Sequence, residues 1–351
     1  MSPFLKRIFY RSAQFSGLNA ISLNSSWRTR KLLILCYHGI SLNDEHQFTP
    51  MYMPLDQFRH RLQRVRDLGC TVLPLGTAIE MLYQGTLPAR SVVITFDDGF
   101  YDFYAGAWPC LRSFGFPATV YFTTYYSMYN VPVFDPMCEY VLWKARGRQL
   151  SWPELNLGPV TIDAATQVSL AREIKKIALR NRADGREKHE LLRCLATRLD
   201  VDFDDLCTRR SFHLMTPAEA TEIAAEGCDF QMHCHRHRVY RSKERFLNEL
   251  KDNHDVLTSI APCAPTHFCY PGGFRLPEYP GWLSEFGVVS ATTCEPGLAT
   301  AKSGPYELPR LLDSPGISLD EFSAWLSGVA HYIPRKKYPP AEGQLIEEPG
   351  Y

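Results

Sequence analysis

The sequence predicts an α/β protein built on a parallel sheet or barrel, with its chemistry gathered at the carboxyl ends of the strands. Apolar runs alternate with amphipathic stretches over most of the 351 residues, the rhythm of successive βα units. Val92-Val93-Ile94-Thr95-Phe96 reads as a strand buried on both faces, and it ends in Asp97-Asp98-Gly99. A later strand end delivers His233, His235 and His237 in quick succession. In α/β proteins the carboxyl ends of parallel strands are where ligands and reacting groups sit.

Composition narrows the class. Lys+Arg and Asp+Glu both number 38, so the net charge is zero and nothing points to nucleic acid. The 45% hydrophobic and 22% charged fractions are those of an ordinary globular chain. Eleven cysteines, an odd number at irregular spacing with no CxxC, read as reduced thiols and place the chain in the cytoplasm.

Residues 1–31 form a basic helical segment, with Phe4, Leu5, Ile8 and Phe9 at helical spacing beside Lys6, Arg7 and Arg11. It has no apolar core of the signal-peptide kind and is too short and polar to span a bilayer. Such a helix either packs on the sheet protein, the favoured reading, or rests peripherally on a membrane surface.

The main domain is read over 32–326. Leu32-Leu33-Ile34-Leu35-Cys36-Tyr37-His38 is the first strand, which puts His38 at a strand end. Leu55, Phe58, Leu62, Val65 and Leu68 mark a helix stopped by Gly69. Thr71–Pro74 is a short strand and Thr77–Tyr83 a helix. The Asp97-Asp98 strand follows, then a helical stretch to Phe114 ended by Gly115, and the strand Ala118–Thr123. From 127 to 213 the rhythm breaks into a helical insertion, expected to lie over the strand ends and shape the substrate groove. The rhythm resumes with a helix over Pro217–Glu226, the His-rich strand end, a helix from Ser242 to Ile260, and strands at Thr266–Tyr270, Val288–Thr292 and Leu308–Leu312. Phe322, Trp325 and Leu326 mark a closing helix. Residues 327–351 are a tail, Pro-, Lys- and Glu-rich from Pro334 and expected to fray.

Taken alone, Asp-Asp-Gly is also a common solvated turn, and His-x-His-x-His can be a stacked surface cluster. Together they suggest more. His233 and His237 are spaced i, i+4, which on a helical turn puts both imidazoles on one face, and Asp98 can reach them from another strand end. Two His and one carboxylate with an open position is the donor set of a catalytic metal site.

Thr95-Phe96-Asp97-Asp98-Gly99, His233-Cys234-His235-Arg236-His237 and Tyr270-Pro271-Gly272-Gly273, in this order and with Leu308-Pro309-Arg310 near the C-terminus, resemble the polysaccharide deacetylases with a NodB homology domain, carbohydrate esterase family 4. The resemblance covers about residues 32–326. It implies a distorted (β/α) barrel of about seven strands and a metal-dependent hydrolase that removes N-acetyl groups from an N-acetylated sugar in a polysaccharide or glycan precursor. It assigns Asp97 as general base. It makes Asp98, His233 and His237 the ligands of a divalent metal, zinc first. It makes Gly272 the backbone donor to the oxyanion.

The sequence also departs from the family pattern. Cys269 stands where the family often has an Arg that orients the base, and Arg310 is the candidate replacement. No late Leu-x-His supplies the leaving-group acid, and His331 lies beyond the closing helix. His38 is ranked above His235 for that task, because a helical turn would rotate His235 away from the other two histidines. Cys234 replaces the family's Ser or Thr. Two other outcomes stay open on the sequence: a member that binds carbohydrate without turnover, and removal of an O-acetyl or formyl group.

Overall fold

The strand Ser91–Asp98 lies at the centre of the main sheet, and seven of its eight residues are buried. The computed structural model describes residues 3–333 and 345–346, so the tail read from Pro334 lies outside the described residues except for that short strand. Ser91–Asp98 pairs in parallel with Leu33–Tyr37 along one edge. Along its other edge it pairs first with Thr71–Val72 and then, from Thr95 to Asp98, with Thr119–Phe122. Next to Thr119–Phe122 lie Asp229–Met232, His267–Cys269 and Ser290–Thr292, and next to Leu33–Tyr37 lies Leu311–Leu312. All these pairings are parallel.

The sheet curls until its two ends meet in one segment. Leu308 bridges Thr292 at one end, and Leu312 pairs with Cys36 at the other. The sequence reads 308–312 as a single strand, but only Leu311–Leu312 is regular. Pro309 has no N–H to offer a ladder, and the Arg310 N–H donates to the Glu295 carbonyl at 3.0 Å. The interruption leaves Arg310 at the seam of a distorted α/β half-barrel of seven strands in succession, with Thr71–Val72 paired beside them as an eighth.

Helices cover the sheet because each shows it an apolar stripe. Leu75, Ala78, Ile79 and Leu82 of the helix Leu75–Gln84 pack with Leu32, Ile34, Val93 and Leu308. Each buried Leu, Ile or Val side chain in this set contributes about 1.5–3 kcal/mol. After the Asp97 strand the expected single helix is two pieces, a π-helical turn Phe103–Ala107 and an α-helix Trp108–Phe114. Pro109 opens the second piece, where its missing N–H is no loss.

The first helices, Pro3–Phe15, Leu18–Leu23 and Ser26–Thr29, pack on the closing helix Leu319–Ser327. The Ser22 hydroxyl donates to the Ser327 carbonyl at 2.8 Å, and Arg28, fully buried, donates from Nε to the Leu326 carbonyl at 2.9 Å. This is the packing reading of the segment 1–31. No helix among the described residues is long and apolar enough to cross a membrane.

Residues 125–217 form a compact unit of their own. Its helices include Phe134–Lys144, Ala164–Arg180 and Gly185–Arg198, the last two opened by Asp163 and Asp184 in capping boxes. The sequence reading makes 127–213 a helical insertion, and the unit also contains an antiparallel hairpin that this reading lacks, Gln149–Trp152 with Leu157–Thr161. The signal was short: Gln149, Leu150, Ser151 and Trp152 alternate exposed and buried.

Candidate active site

Four strand ends and one seam residue build the site. Asp97 is the penultimate residue of the central strand and is 2% exposed. Asp98 follows with a left-handed φ of 68°, and Gly99 continues the turn at 82°. A side chain at Gly99 would put its Cβ within 2.1 Å of the Phe122 ring, so glycine is required there. The turn re-aims Asp98, and its carboxylate meets His233 Nε2 at 3.5 Å and His237 Nε2 at 3.3 Å from the same oxygen, Oδ1.

The two histidines do not reach Asp98 from a helix, as the i, i+4 spacing suggests. Cys234 and His237 have left-handed φ values of 62° and 54°, and the chain between them is a loop. The loop is pinned instead. Asn253 Oδ1 accepts from the His233 N–H at 2.9 Å, and its amide donates to the Phe122 carbonyl and Thr124 Oγ1 at 2.9 and 3.0 Å. Glu249 accepts from the Arg236 N–H at 2.8 Å and its guanidinium at 2.7 Å. His235 turns aside, its Nδ1 2.8 Å from Thr124 Oγ1. The outcome is the same pairing of rings, with the His233 and His237 centroids 4.8 Å apart.

Whether this trio fits a metal is decided by its donor atoms. His233 Nδ1–H donates to the Cys269 carbonyl at 2.8 Å, which turns Nε2 toward Asp98. Burial would lower the His233 pKa, but Cys269 and the Asp98 carboxylate outweigh it and raise it well above its ordinary value, so a cation bound at Nε2 would take the place of a proton. Burial pushes His237 down to about 4, so this imidazole is neutral near pH 7. Burial would raise Asp98, but His237 and His233 outweigh it and lower its pKa to about 2. One carboxylate and two imidazoles therefore converge with their ligand atoms all within 4.8 Å. Their 3.3–3.5 Å spacings match the edge of a tetrahedron, roughly 3.3 Å for ligands about 2.0–2.1 Å from the centre. The trio fits a divalent cation, and its outer side is open: His237 is 32% and Asp98 17% exposed.

Asp97 has a different setting. Arg310 holds it by two parallel bonds, Nη1 to Oδ1 and Nη2 to Oδ2, both 2.7 Å. Burial would raise the Asp97 pKa, but Arg310 outweighs it and keeps the carboxyl well below the usual carboxylate range. Arg310 is itself fixed, donating from Nε to the Thr293 carbonyl at 3.0 Å and from Nη1 to Thr95 Oγ1 at 3.2 Å. Two thiols complete the surroundings: Cys269, which stands at the position of the family's base-orienting Arg, and Cys36, which sequence reasoning missed. Cys36 and Cys269 Sγ each lie 3.5 Å from Asp97 Oδ2. His38 Nε2 is 3.9 Å from the same oxygen, and its buried Nδ1 has no hydrogen-bond partner among the described residues. Gly272 sits in the turn Pro271–Gly273 that leaves the strand His267–Cys269, with a left-handed φ of 57°. His331 lies tilted against Trp27, at 5.8 Å between ring centroids, on the side of the first helices.

Comparison with known proteins fits this geometry. A sequence model of the polysaccharide deacetylase family matches residues 188–289. A Bacillus subtilis (strain 168) protein named as a polysaccharide deacetylase, YxkH, is 34% identical over 312 residues, 87% of this chain and 81% of that protein. The chain belongs to the polysaccharide deacetylase family. Its members are hydrolases that act on carbohydrate. Solved structures agree on the fold. The Streptococcus pyogenes deacetylase PplD, in complex with acetate, superposes with a TM-score of 0.54 at 20% identity, covering 83% of this chain and 96% of that one. IcaB from Ammonifex degensii gives 0.52 at 16% identity, covering 85% and 97%.

Proposed function

We propose that the protein is a divalent-cation-dependent deacetylase that removes N-acetyl groups from an N-acetylated sugar in a polysaccharide or glycan precursor. The observation that carries this reading is the division of labour between adjacent carboxylates. Asp97 is locked to Arg310, while Asp98 joins His233 and His237 in a trio with metal-ligand spacing.

When bound, a cation held by Asp98, His233 and His237 supplies Lewis acidity toward the acetyl carbonyl and lowers the pKa of water; zinc suits two imidazoles and a carboxylate. Asp97 takes the proton of the attacking water. Arg310 keeps Asp97 ionised in a buried place, so the base is ready at any physiological pH, and it fixes the carboxylate plane. The Gly272 N–H donates to the oxygen that gains charge as the carbonyl becomes tetrahedral. Departure of the sugar amine needs a proton at nitrogen. Burial lowers the His38 pKa from its ordinary value, so His38 enters neutral. Protonated Asp97 is a strong acid beside Arg310, and His38 Nε2, 3.9 Å away, takes its proton and passes it to the leaving nitrogen. The acetate bound to PplD is the acid product that such a reaction releases.

The test is release of acetate by the purified, zinc-loaded protein from a panel of N-acetylated sugars and oligosaccharides, with O-acetylated counterparts beside them. Acetate from the N-acetyl substrates, absent with Asp97→Asn, supports the reading. Release from O-acetyl substrates alone would replace the amide with an ester.

A further inference from the structure

The first helices pack on the barrel with one face and leave another face that no described residue covers. Tyr10 and Ala13 of Pro3–Phe15, and Asn19 and Leu23 of Leu18–Leu23, are buried. On the outward side Ile8 is 46%, Phe15 79%, Leu18 40% and Ile21 70% exposed. Ile8 and Phe15 are seven residues apart on one helical stripe, and Leu18 and Ile21 follow after only Ser16 and Gly17.

The charge carried by these helices themselves has one sign. Residues 1–43 contain no acidic side chain, and the first is Asp44. The same stretch carries Lys6, Arg7, Arg11, Arg28, Arg30 and Lys31. Only Arg28 is buried. Arg7, Arg11 and Arg30 are exposed, and Arg11 lies 5.9 Å from the centroid of Phe15. Lys6, Arg7, Arg11 and Arg30 form no ion pair among the described residues. The chain is neutral overall, so this is a local excess of positive charge.

We propose that this face docks on an anionic lipid bilayer, with Ile8, Phe15, Leu18 and Ile21 entering the headgroup boundary and the basic side chains meeting lipid phosphates. Apolar side chains flanked by Lys and Arg, with no acid among them, are the composition of an interfacial helix. A second copy of the chain would bring the same basic residues face to face and gain no countercharge. A bilayer supplies both the apolar phase and the negative charge. Each basic residue held at such a surface multiplies the partition by roughly fivefold. The contact is peripheral, because the opposite side of these helices stays packed on Leu319–Ser327.

Flotation of the full chain with vesicles tests this independently of turnover. The protein should float with phosphatidylglycerol/phosphatidylcholine vesicles at low salt, stay behind with pure phosphatidylcholine, and be released at about 1 M salt, where the Debye length falls to about 3 Å. Phe15→Ser with Ile21→Ser, and separately Arg7→Glu with Arg11→Glu, should each cut the bound fraction at least about tenfold while thermal melting and acetate release stay unchanged. No flotation of the wild-type chain would overturn the proposal. So would flotation that survives both double variants, or self-association without vesicle binding that Phe15→Ser with Ile21→Ser abolishes.

Discussion

Arg310 grips Asp97 through two parallel 2.7 Å bonds across 213 residues of sequence, and both side chains are essentially inaccessible to water. A buried carboxylate that loses such a partner either protonates or destabilises the fold. Arg310→Met should therefore cost about 3–5 kcal/mol in urea unfolding and at least about 10²-fold in turnover, since a protonated Asp97 cannot act as base. The double variant Arg310→Met with Asp97→Asn should recover part of the stability and none of the activity. Wild-type stability and turnover in Arg310→Met would show that the pair is dispensable.

Asp97 and Asp98 are neighbours with separate tasks, and one substitution separates them. Asp97→Asn keeps the shape of the side chain and leaves the trio of Asp98, His233 and His237 intact. It should retain about one metal per chain by elemental analysis and lose hydrolysis by about 10²–10⁴-fold. Loss of the metal in this variant would make Asp97 a ligand instead of a base.

His233 is the best-anchored member of the trio, fixed by Cys269 through its ring and by Asn253 through its backbone. His233→Ala should lose the bound metal. Asn253→Ala should keep the ligand side chains but weaken metal affinity by about 10–100-fold, the usual effect of removing a ligand's support. Full metal content in His233→Ala would move the cation to other residues.

How much of this was legible in the sequence depends on locality. The Asp97-Asp98-Gly99 turn and the His233–His237 pair are contiguous strings, and their chemistry can be read before any folding is considered. The strands were readable for the same reason, as short apolar runs. Cys36 was not readable as a neighbour of Asp97, because it comes from another strand and meets Asp97 only through register, whereas Cys269 was placed there by the resemblance alone. Asn253 and Glu249 left a fainter trace. They lie on the stripe Phe246, Leu250, Leu257 and Ile260 of the helix Lys243–Ile260, and a polar residue on an apolar face must have a buried partner. The left-handed residues Cys234 and His237 left none. Both take φ values that ordinary side chains avoid, held there by contacts the local sequence does not encode.

Acid should weaken the unit 125–217 through His213. This side chain is 4% exposed, and burial pushes its pKa down to about 4 from an ordinary 6.5, with the Ser211 carbonyl only partly opposing. The folded value is depressed, so the neutral form belongs to the native state. The contribution is full above pH 6.5 and is lost as pH falls through about 4, amounting to about 3 kcal/mol by pH 4. His213→Gln cannot titrate and should flatten the dependence of urea midpoint on pH between 6.5 and 4 relative to wild type. Equal slopes in the two proteins would show that His213 is not the titrating group.

His38 poses the sharpest question about the reaction, because it is not in the family's usual place for a leaving-group acid. Its Nε2 lies 3.9 Å from Asp97 Oδ2, and its other ring nitrogen is buried without a hydrogen-bond partner among the described residues. A group that only supports the fold would affect all substrates alike. A group that protonates the departing amine matters only when the leaving group needs a proton. A sugar amine does, because its unprotonated anion is far too basic to leave, whereas p-nitrophenolate leaves unaided. His38→Ala should thus lose about 10²–10⁴-fold against an N-acetylated sugar while hydrolysis of p-nitrophenyl acetate changes little. Parallel losses on both substrates would reduce His38 to a structural residue and hand the proton transfer to solvent. Retention of full activity on the amide would remove His38 from the mechanism.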